Sequence, residues 1–373
     1  MATSLTQRLI MVASKTNETL LCGMEIDEYT TMDKQQPAQH TVYVSKIDTS
    51  GSPLSRGVAK RLVIAYLTSL PPSTKIHVFA RAQPQYLFAK SARHPDKHVL
   101  SDRQLVRWWH QVLTKVPAHK RHWCVPGVDD PWTAQADVGL PRTNASSTAW
   151  HYGHAYSGTA LAQDVIPRFP DDGKGRFLSS LADPDLTVDD YWALLGFSEE
   201  CGAGHLVGIF VVELAKEETK KEEPASAAEP ARCLDEDTYT QMWNDLMHQD
   251  FSSGQSNHTS THTWLKAWHK QFYSFAVNPD KPETLDGTGK ITPPPADQSH
   301  VNTLMPRSAS TAVHVLSAKR PTKPDAKVLQ PSDPRAQDAT HLLTPKRKSP
   351  TKDPAMANAA LHVLTPKRKR TTQ

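Results

Sequence analysis

No phenylalanine, tyrosine or tryptophan follows Phe275 in this chain of 373 residues, and all nine tryptophans lie at or before Trp268. A packed core is hard to build without aromatic bulk. The proline-rich, lysine-rich segment 277–373 is therefore expected to be a disordered basic tail, with the packed part ending near residue 276. Cysteine is scarce. Cys22, Cys124, Cys201 and Cys233 are the four present. None is spaced for a CxxC metal pair and four make no disulfide framework, so a reduced intracellular protein without structural zinc is expected. No apolar run approaches the roughly 20 residues of a membrane helix. The opening Met1-Ala-Thr-Ser, followed by mixed polar residues, lacks the apolar stretch of a signal peptide, so no membrane contact is expected. Glycine is outnumbered by proline, 16 against 29, and the hydrophobic share of 38% is low for a chain packed throughout.

What is present is unevenly charged. Lys281–Gln373 holds 16 basic and 7 acidic residues, a net of +9, which leaves −5 for the first 280 residues. The tail also repeats itself. Leu304, Leu316, Leu329, Leu343 and Leu364 each stand two residues before Pro306, Ala318, Pro331, Pro345 and Pro366, usually with basic residues next. The spacing is irregular, which excludes a solenoid. The repeats read either as low-complexity drift or as short docking peptides with a basic anchor for an acidic partner. Lys346-Arg347-Lys348 and Lys367-Arg368-Lys369-Arg370 also fit nuclear import or nucleic-acid contact.

Local patterns define the packed part. Leu20–Thr31 and Thr41–Ser45 read as a β-hairpin. Val58–Leu70 has helical spacing and stops at Pro71-Pro72. Lys75–Ala80 is a short strand, and Ser101 caps a helix running to about Lys115. Trp123–Ala162 is expected to be a long loop with short helices. Arg176–Leu181, Val188–Leu195, Asp237–His248 and Thr263–Ala276 are expected helices, Leu206–Leu214 is a buried strand, and residues 215–235 form a charged disordered insertion. No strand is assigned before Leu20. The alternation of strands and helices predicts an α/β domain over residues 1–276, a single mixed central sheet flanked by helices.

Two phosphate-binding decoys fail. Gly287-Thr-Gly-Lys290 has Thr284 where a phosphate loop needs glycine, and no strand precedes it. Glu199-Glu-Cys-Gly-Ala-Gly204 carries a carboxylate that would repel phosphate, so a turn is expected there. The 18 histidines include no HExxH pair.

Three segments carry the chemistry. Tyr43-Val-Ser-Lys-Ile-Asp48-Thr49-Ser-Gly51 ends a strand on polar side chains. Phe79-Ala-Arg81-Ala-Gln83-Pro-Gln85-Tyr86-Leu-Phe88 is followed by Lys97-His98-Val-Leu and then Trp108-Trp109. Arg168-Phe-Pro-Asp171-Asp172-Gly-Lys174-Gly-Arg176-Phe177 is the third. Together, from about Leu20 to Phe275, these resemble the fungal-specific histone H3 lysine acetyltransferases, distant structural relatives of the CREB-binding-protein-type acetyltransferases.

The resemblance implies that acetyltransferase fold and acetyl-CoA as co-substrate, with no metal. It implies that Ile47, Asp48, Thr49, Ser55, Arg56, Phe79, Gln83, His98, Val99, Leu100 and Trp108 line the cofactor site. Tyr86 and Trp109 would wall the reacting centre. Asp172 is the candidate proton acceptor, supported by Asp171, and Lys174 matches the family's autoacetylated lysine. A lysine amine with a pKa near about 10.4 must lose a proton before it attacks a thioester, and a nearby carboxylate can take it. Gly173 and Gly175 replace a proline and a small residue of the family pattern, which predicts a loose loop around Lys174.

The implied partners are histone H3–H4 and histone chaperones of the nucleosome-assembly-protein and anti-silencing-function types. The implied setting is the nucleus, in chromatin assembly and the DNA damage response, with possible DNA contact through the tail. The alternative is a non-catalytic chromatin or chaperone adaptor on a degenerate acetyltransferase scaffold. A plain DNA-binding protein is the third reading, with no groove-reading motif to carry it.

Overall fold

The structure, a computed structural model, describes residues 2–14, 18–33, 36–141, 150–181, 183–202, 204–215, 234–271, 273–277 and 313–319. All belong to one unit of the chain, Met1–Pro331. The elements in order are β1 (Ala2–Ser14), β2 (Thr19–Asp33), β3 (Gln36–Thr49), α1 (Val58–Thr68), β4 (Lys75–Ala80), α2 (Asp102–Leu113), β5 (Ala118–Cys124), α3 (Pro131–Val138), β6 (His151–Tyr152), α4 (Ala162–Val165), α5 (Gly173–Ser180), α6 (Val188–Leu195), β7 (Gly208–Leu214), α7 (Glu236–Met247), α8 (Gly254–Trp268), β8 (Tyr273–Val277) and β9 (Val313–Lys319). The described strands form one mixed sheet in the order β6-β5-β7-β4-β3-β2-β1-β9-β8. The β3–β4 and β5–β6 pairs are parallel and the others antiparallel.

Helices cover both faces. Ile10, Val12, Ile26, Val42 and Val44 face Leu62, Val63 and Tyr66 of α1 and Val106 and Trp109 of α2. Leu9, Met11 and Leu20 face Tyr239, Met242 and Leu246 of α7 and Trp264 of α8. A third cluster joins Leu178 of α5, Val188, Tyr191 and Leu195 of α6, and Ile209 of β7. The expected α/β architecture is the one observed.

The departures have physical causes. β1 lacks alternation because Leu9–Ala13 is buried on both faces. β5 (AHKRHWC) is mostly polar, with only Arg121 and Trp123 buried. The expected Thr263–Ala276 helix is instead α8, which starts at Gly254, and Tyr273–Val277 is a strand. Ser253 and Ser256 form its capping box. Its buried face is partly polar and so hides its periodicity. Asn257 donates to Leu20 O (3.1 Å) and Ser50 Oγ (3.0 Å), and Thr261 Oγ1 accepts from Leu20 N–H (2.9 Å).

One piece of the expected disordered tail is strand. β9 pairs with β1, with Ala318 opposite Leu9 and Ser14 opposite Val313. This repeat alone carries Ala318 where the other four have proline. Proline lacks the N–H that a sheet ladder uses and is confined to strand edges and ends. The rest of the repeats and residues 216–233 lie outside the described residues. Ala318→Pro is expected to speed hydrogen exchange at the β1 amides facing β9 by on the order of tenfold, leaving β2 protected.

Candidate active site

β3 and β4 pair only over Thr41–Tyr43 and Lys75–His77. Both continue past these residues, to Thr49 and Ala80, with no further pairs between them. A cavity opens where they part. It is lined by residues 44–47 of β3, residues 78–81 at the end of β4, Tyr86, and Leu105 and Trp109 of α2. A bulge shapes one wall: Ile26 pairs with Val44 but Glu25 pairs with Lys46, leaving Ser45 as an extra residue. Lys46 is thereby turned away from the face of Val42 and Val44, and its Nζ lies 2.7 Å from Glu25 Oε2 and 3.1 Å from Asp171 Oδ2.

The far end of the gap is closed by Asp48. Its Oδ2 accepts the backbone N–H groups of Tyr86, Leu87 and Phe88 at 2.7, 2.9 and 3.2 Å. Its Oδ1 accepts Thr49 N–H (2.8 Å) and the ammonium of Lys97 (2.7 Å). Lys97 and Asp48 are both buried, at 4% and 5% side-chain exposure, so this pair is sheltered from solvent screening. The Tyr86 hydroxyl donates to the Arg81 carbonyl. Burial, with the charge of Asp48 adding to it, raises its pKa well above the ordinary tyrosine value, so Tyr86 stays protonated.

The second wall is Arg168–Arg176. Asp171 has φ +57°, in the left-handed region. Asp172 is fully buried and caps α5, its Oδ1 accepting Lys174 N–H at 3.1 Å. Lys174 Nζ lies 2.8 Å from Asp172 Oδ2 as an ion pair and donates to Pro167 O at 2.6 Å. Phe169 stacks on Tyr43 (4.6 Å between centroids), with Lys174 Nζ 5.2 Å from its ring centre. The Tyr191 hydroxyl donates to the Lys174 carbonyl (2.8 Å). Burial, and next the charge of Asp172, raise the pKa of Tyr43, Tyr156 and Tyr191. Burial, and then Lys174, push His77 down to about 3, so it is neutral.

The structure joins the two walls at a glycine. A Cβ on Gly173 would lie 2.9 Å from the ring of Phe79, itself a cavity residue. The expectation of a loose loop is thus corrected. Gly173, Lys174 and Gly175 are buried in the first turn of α5, and close packing on Phe79 is what requires glycine.

Four of the expected residues share the cavity: Ile47, Phe79, Tyr86 and Trp109. Trp108 stands edge-on to Trp109 at 4.9 Å and packs on the α1–α2 core. Asp48 ends in the tie just described, next to a half-buried Thr49. Ser55 Oγ donates to Ser52 O (2.6 Å). Arg56, Gln83, His98 and Val99 are exposed and Leu100 is half-buried, none of them in the cavity. Sequence reasoning missed Lys46, whose orientation depends on the bulge, and its partner Glu25 on β2. It also missed Glu200, which bridges Arg81 and Arg176 at 2.6 Å each. Among the described residues no group of three or more His, Cys, Asp or Glu is placed to hold a metal, and no helix is long and apolar enough to cross a membrane.

The family model of the histone acetyltransferase KAT11-type domain matches residues 59–267, from α1 to the end of α8. The chain belongs to this family. Among proteins, it is similar to the histone acetyltransferase rtt109 of Schizosaccharomyces pombe, 31% identical over 222 residues that cover 53% of this chain and 58% of that protein. It is also similar to the rtt109 of Aspergillus flavus, 28% identical over 254 residues, 51% of this chain and 44% of that protein. The chain thus spans about half the length of the curated relatives it matches. The crystal structure of Rtt109 from Aspergillus fumigatus superposes with a TM-score of 0.53 at 21% identity, over 71% of this chain and 92% of that one, which supports the same fold. The KAT11-type match takes in Phe79, Tyr86, Trp109, Asp172 and Lys174, whereas Lys46, Ile47 and Asp48 lie before it.

Two outcomes follow for this KAT11-type domain. Lys97→Met strands the Asp48 carboxylate in the interior and is expected to cost about 3–5 kcal/mol of unfolding free energy, read by denaturant titration. Asp27, buried beside Glu25 and hydrogen-bonded by Gln7 (2.9 Å), has its pKa pushed up to about 7, by burial first and Glu25 second. Between the ordinary carboxyl range and about 7 the folded protein holds a proton that the unfolded chain has released. Stability therefore falls as pH rises through that window, by on the order of a few kcal/mol in total, and Asp27→Asn is expected to flatten that slope in melts from about pH 4.5 to 7.5.

Proposed function

We propose that this chain is an acetyl-CoA-dependent lysine acetyltransferase of histone H3. The observation that carries the reading is a buried carboxylate, Asp172, paired with a buried lysine, Lys174, directly behind the aromatic cleft between β3 and β4. The residues present fit the co-substrate. Ile47, Phe79, Tyr86 and Trp109 would wall the acetyl-pantetheine arm. Arg56 and the first-turn N–H groups of α1, whose N-cap Gly57 makes no side-chain cap, would meet its phosphates.

Acetyl-CoA supplies the acyl group as a thioester: the substrate amine bonds to the carbonyl carbon, the C–S bond breaks, and the thiolate leaves and takes up a proton. This chain has to remove a proton from the incoming ammonium and exclude water. Asp172 is the proton acceptor and Asp171 supports it. Tyr86, whose one O–H is already given to the Arg81 carbonyl, would wall the reacting centre. Lys174 occupies the place beside Asp172 that a substrate amine needs. Its own acetylation would remove that charge and free the carboxylate, which supports self-modification at Lys174.

The net charge of −5 over the first 280 residues favours contact with basic histones, and the +9 tail favours an acidic histone chaperone or DNA. Such an enzyme would act on H3–H4 presented by chaperones in the nucleus, during chromatin assembly and the DNA damage response. Incubation of the full chain with acetyl-CoA, H3–H4 and a histone chaperone is expected to acetylate H3 and Lys174, read by mass spectrometry. Asp172→Asn is expected to lower transfer by about 100-fold or more with acetyl-CoA binding retained, and, because it leaves the buried Lys174 ammonium without its carboxylate, to lower the melting temperature as well, so transfer is compared at a temperature where both proteins are folded. Equal transfer by Asp172→Asn would remove Asp172 from the chemistry. No transfer from the folded wild type, with no acetyl-CoA bound, leaves the adaptor reading.

A further inference from the structure

We propose that Lys46 is a positioning residue for this site: it holds Asp171 in the left-handed turn that presents Asp172 at the N-terminus of α5. The inference rests on the acetyltransferase reading above. A non-glycine residue at positive φ is disfavoured, so a structure that keeps one must hold it from outside. Asp171 has φ +57° and two cationic partners. Arg176 Nη1 is 3.5 Å away with its side chain 51% exposed, whereas Lys46 Nζ is 3.1 Å away and 17% exposed. The shorter, less hydrated pair is the less screened one.

Lys46 is itself placed with care. The Ser45 bulge turns it toward α7, where its ammonium lies 5.9 Å from the ring centre of Trp243. Glu25 holds it from β2 at 2.7 Å, and Ser45 Oγ lies 3.3 Å away. Asp27, two residues along β2, is a third carboxyl group in the neighbourhood, with its pKa pushed up to about 7 by burial and then by Glu25. Burial disfavours the ammonium, but Glu25 and Asp171 outweigh it and keep Lys46 charged. A charged lysine anchored to a sheet strand at one end and to Asp171 at the other transmits the rigidity of the sheet to the turn. A substrate ammonium arriving at Asp172 then meets a carboxylate whose direction is already set.

The test compares Lys46→Met, Lys46→Arg, Asp171→Asn and the Lys46→Met/Asp171→Asn double variant in steady-state transfer to H3–H4. Lys46→Met is expected to lower kcat about tenfold or more with the KM for acetyl-CoA within about twofold, and Lys46→Arg to restore most of the loss. The double variant is expected to be no slower than Asp171→Asn, because both remove one interaction. A kcat for Lys46→Met equal to wild type, or losses that add in the double variant, would overturn the proposal. Should Lys46→Met fail to fold, Lys46→Gln takes its place: the same loss of kcat supports the proposal and a kcat equal to wild type overturns it. Should the wild type transfer nothing, the acetyltransferase reading falls by itself. Lys46 is then judged by amide exchange over residues 171–176. Faster exchange in Lys46→Met but not in Lys46→Arg keeps its role, and equal exchange in all three ends it.

Discussion

The Asp48 carboxylate determines the shape of everything around the cleft. Two parallel strands that stop pairing after Tyr43 and His77 would splay without limit if nothing drew them together again. Asp48, five residues beyond the last paired residue of β3, gathers the N–H groups of Tyr86, Leu87 and Phe88, and Lys97 neutralises it. The gap between β3 and β4 is thus closed at both ends, by the sheet ladder at one and by a buried ion pair at the other. Phe79, Tyr86 and Trp109 fill its walls, and α2, capped by Ser101 and Gln104, brings Trp109 to it. A carboxylate in this place serves the fold before it serves a ligand, since its oxygens already accept four N–H groups and an ammonium.

Much of this was legible from residues alone, and the parts that were not share a cause. Lys75–Ala80 was readable as a short strand although it is buried on both faces, and α2 because Ser101 and Asp102 signal a start. The Asp171-Asp172-Gly-Lys174 run was visible as a motif. Its meaning as a helix cap was not, because two glycines in the first turn argue locally for a loop, and what explains them is tertiary packing: Phe79 and Glu200 against Gly173, and Arg168 and Asp172 against Gly175. β1 was missed because a strand buried on both faces has no period. The first part of α8 was missed because it buries Asn257 and Thr261, whose partners Leu20 and Ser50 are more than 200 residues away in the chain. Lys46 was missed because a single extra residue, Ser45, reverses the side on which every later β3 residue falls. Local pattern reports periodicity and caps. It is silent wherever a buried polar contact or a register shift is decided by a distant segment.

The charges near the cleft form two systems with different tasks. Asp48 and Lys97 are balanced one to one and sealed, an arrangement that suits a permanent tie. Around Asp171 and Asp172 the carboxyl groups are more crowded: Glu25, Asp171 and Asp172 face Lys46, Lys174 and the half-exposed Arg176, with Asp27 beside them holding its proton up to about pH 7. Arg176 is shared further with Glu200, which also takes Arg81 at the cavity rim. Crowding carboxyl groups beside an aromatic slot is a poor way to gain stability, since each buried negative charge raises the cost of the next. It is a suitable way to receive a cation, and a protonated lysine is a cation until it is ready to react.

Lys174 then explains why the site can be both stable and incomplete. With its ammonium at 2.8 Å, Asp172 is neutralised, buried and unable to accept another proton donor of the same kind. The Pro167 carbonyl at 2.6 Å would still accept an N–H from the same nitrogen after acylation, so losing the charge need not cost that hydrogen bond. Acylation at Lys174 would convert a satisfied ion pair into a carboxylate with one open side, facing the slot through Gly173. The same two residues would thus hold the resting fold together and, after one charge is removed, become the place where a second lysine is drawn in. Stability before the modification and reactivity after it would depend on one nitrogen atom.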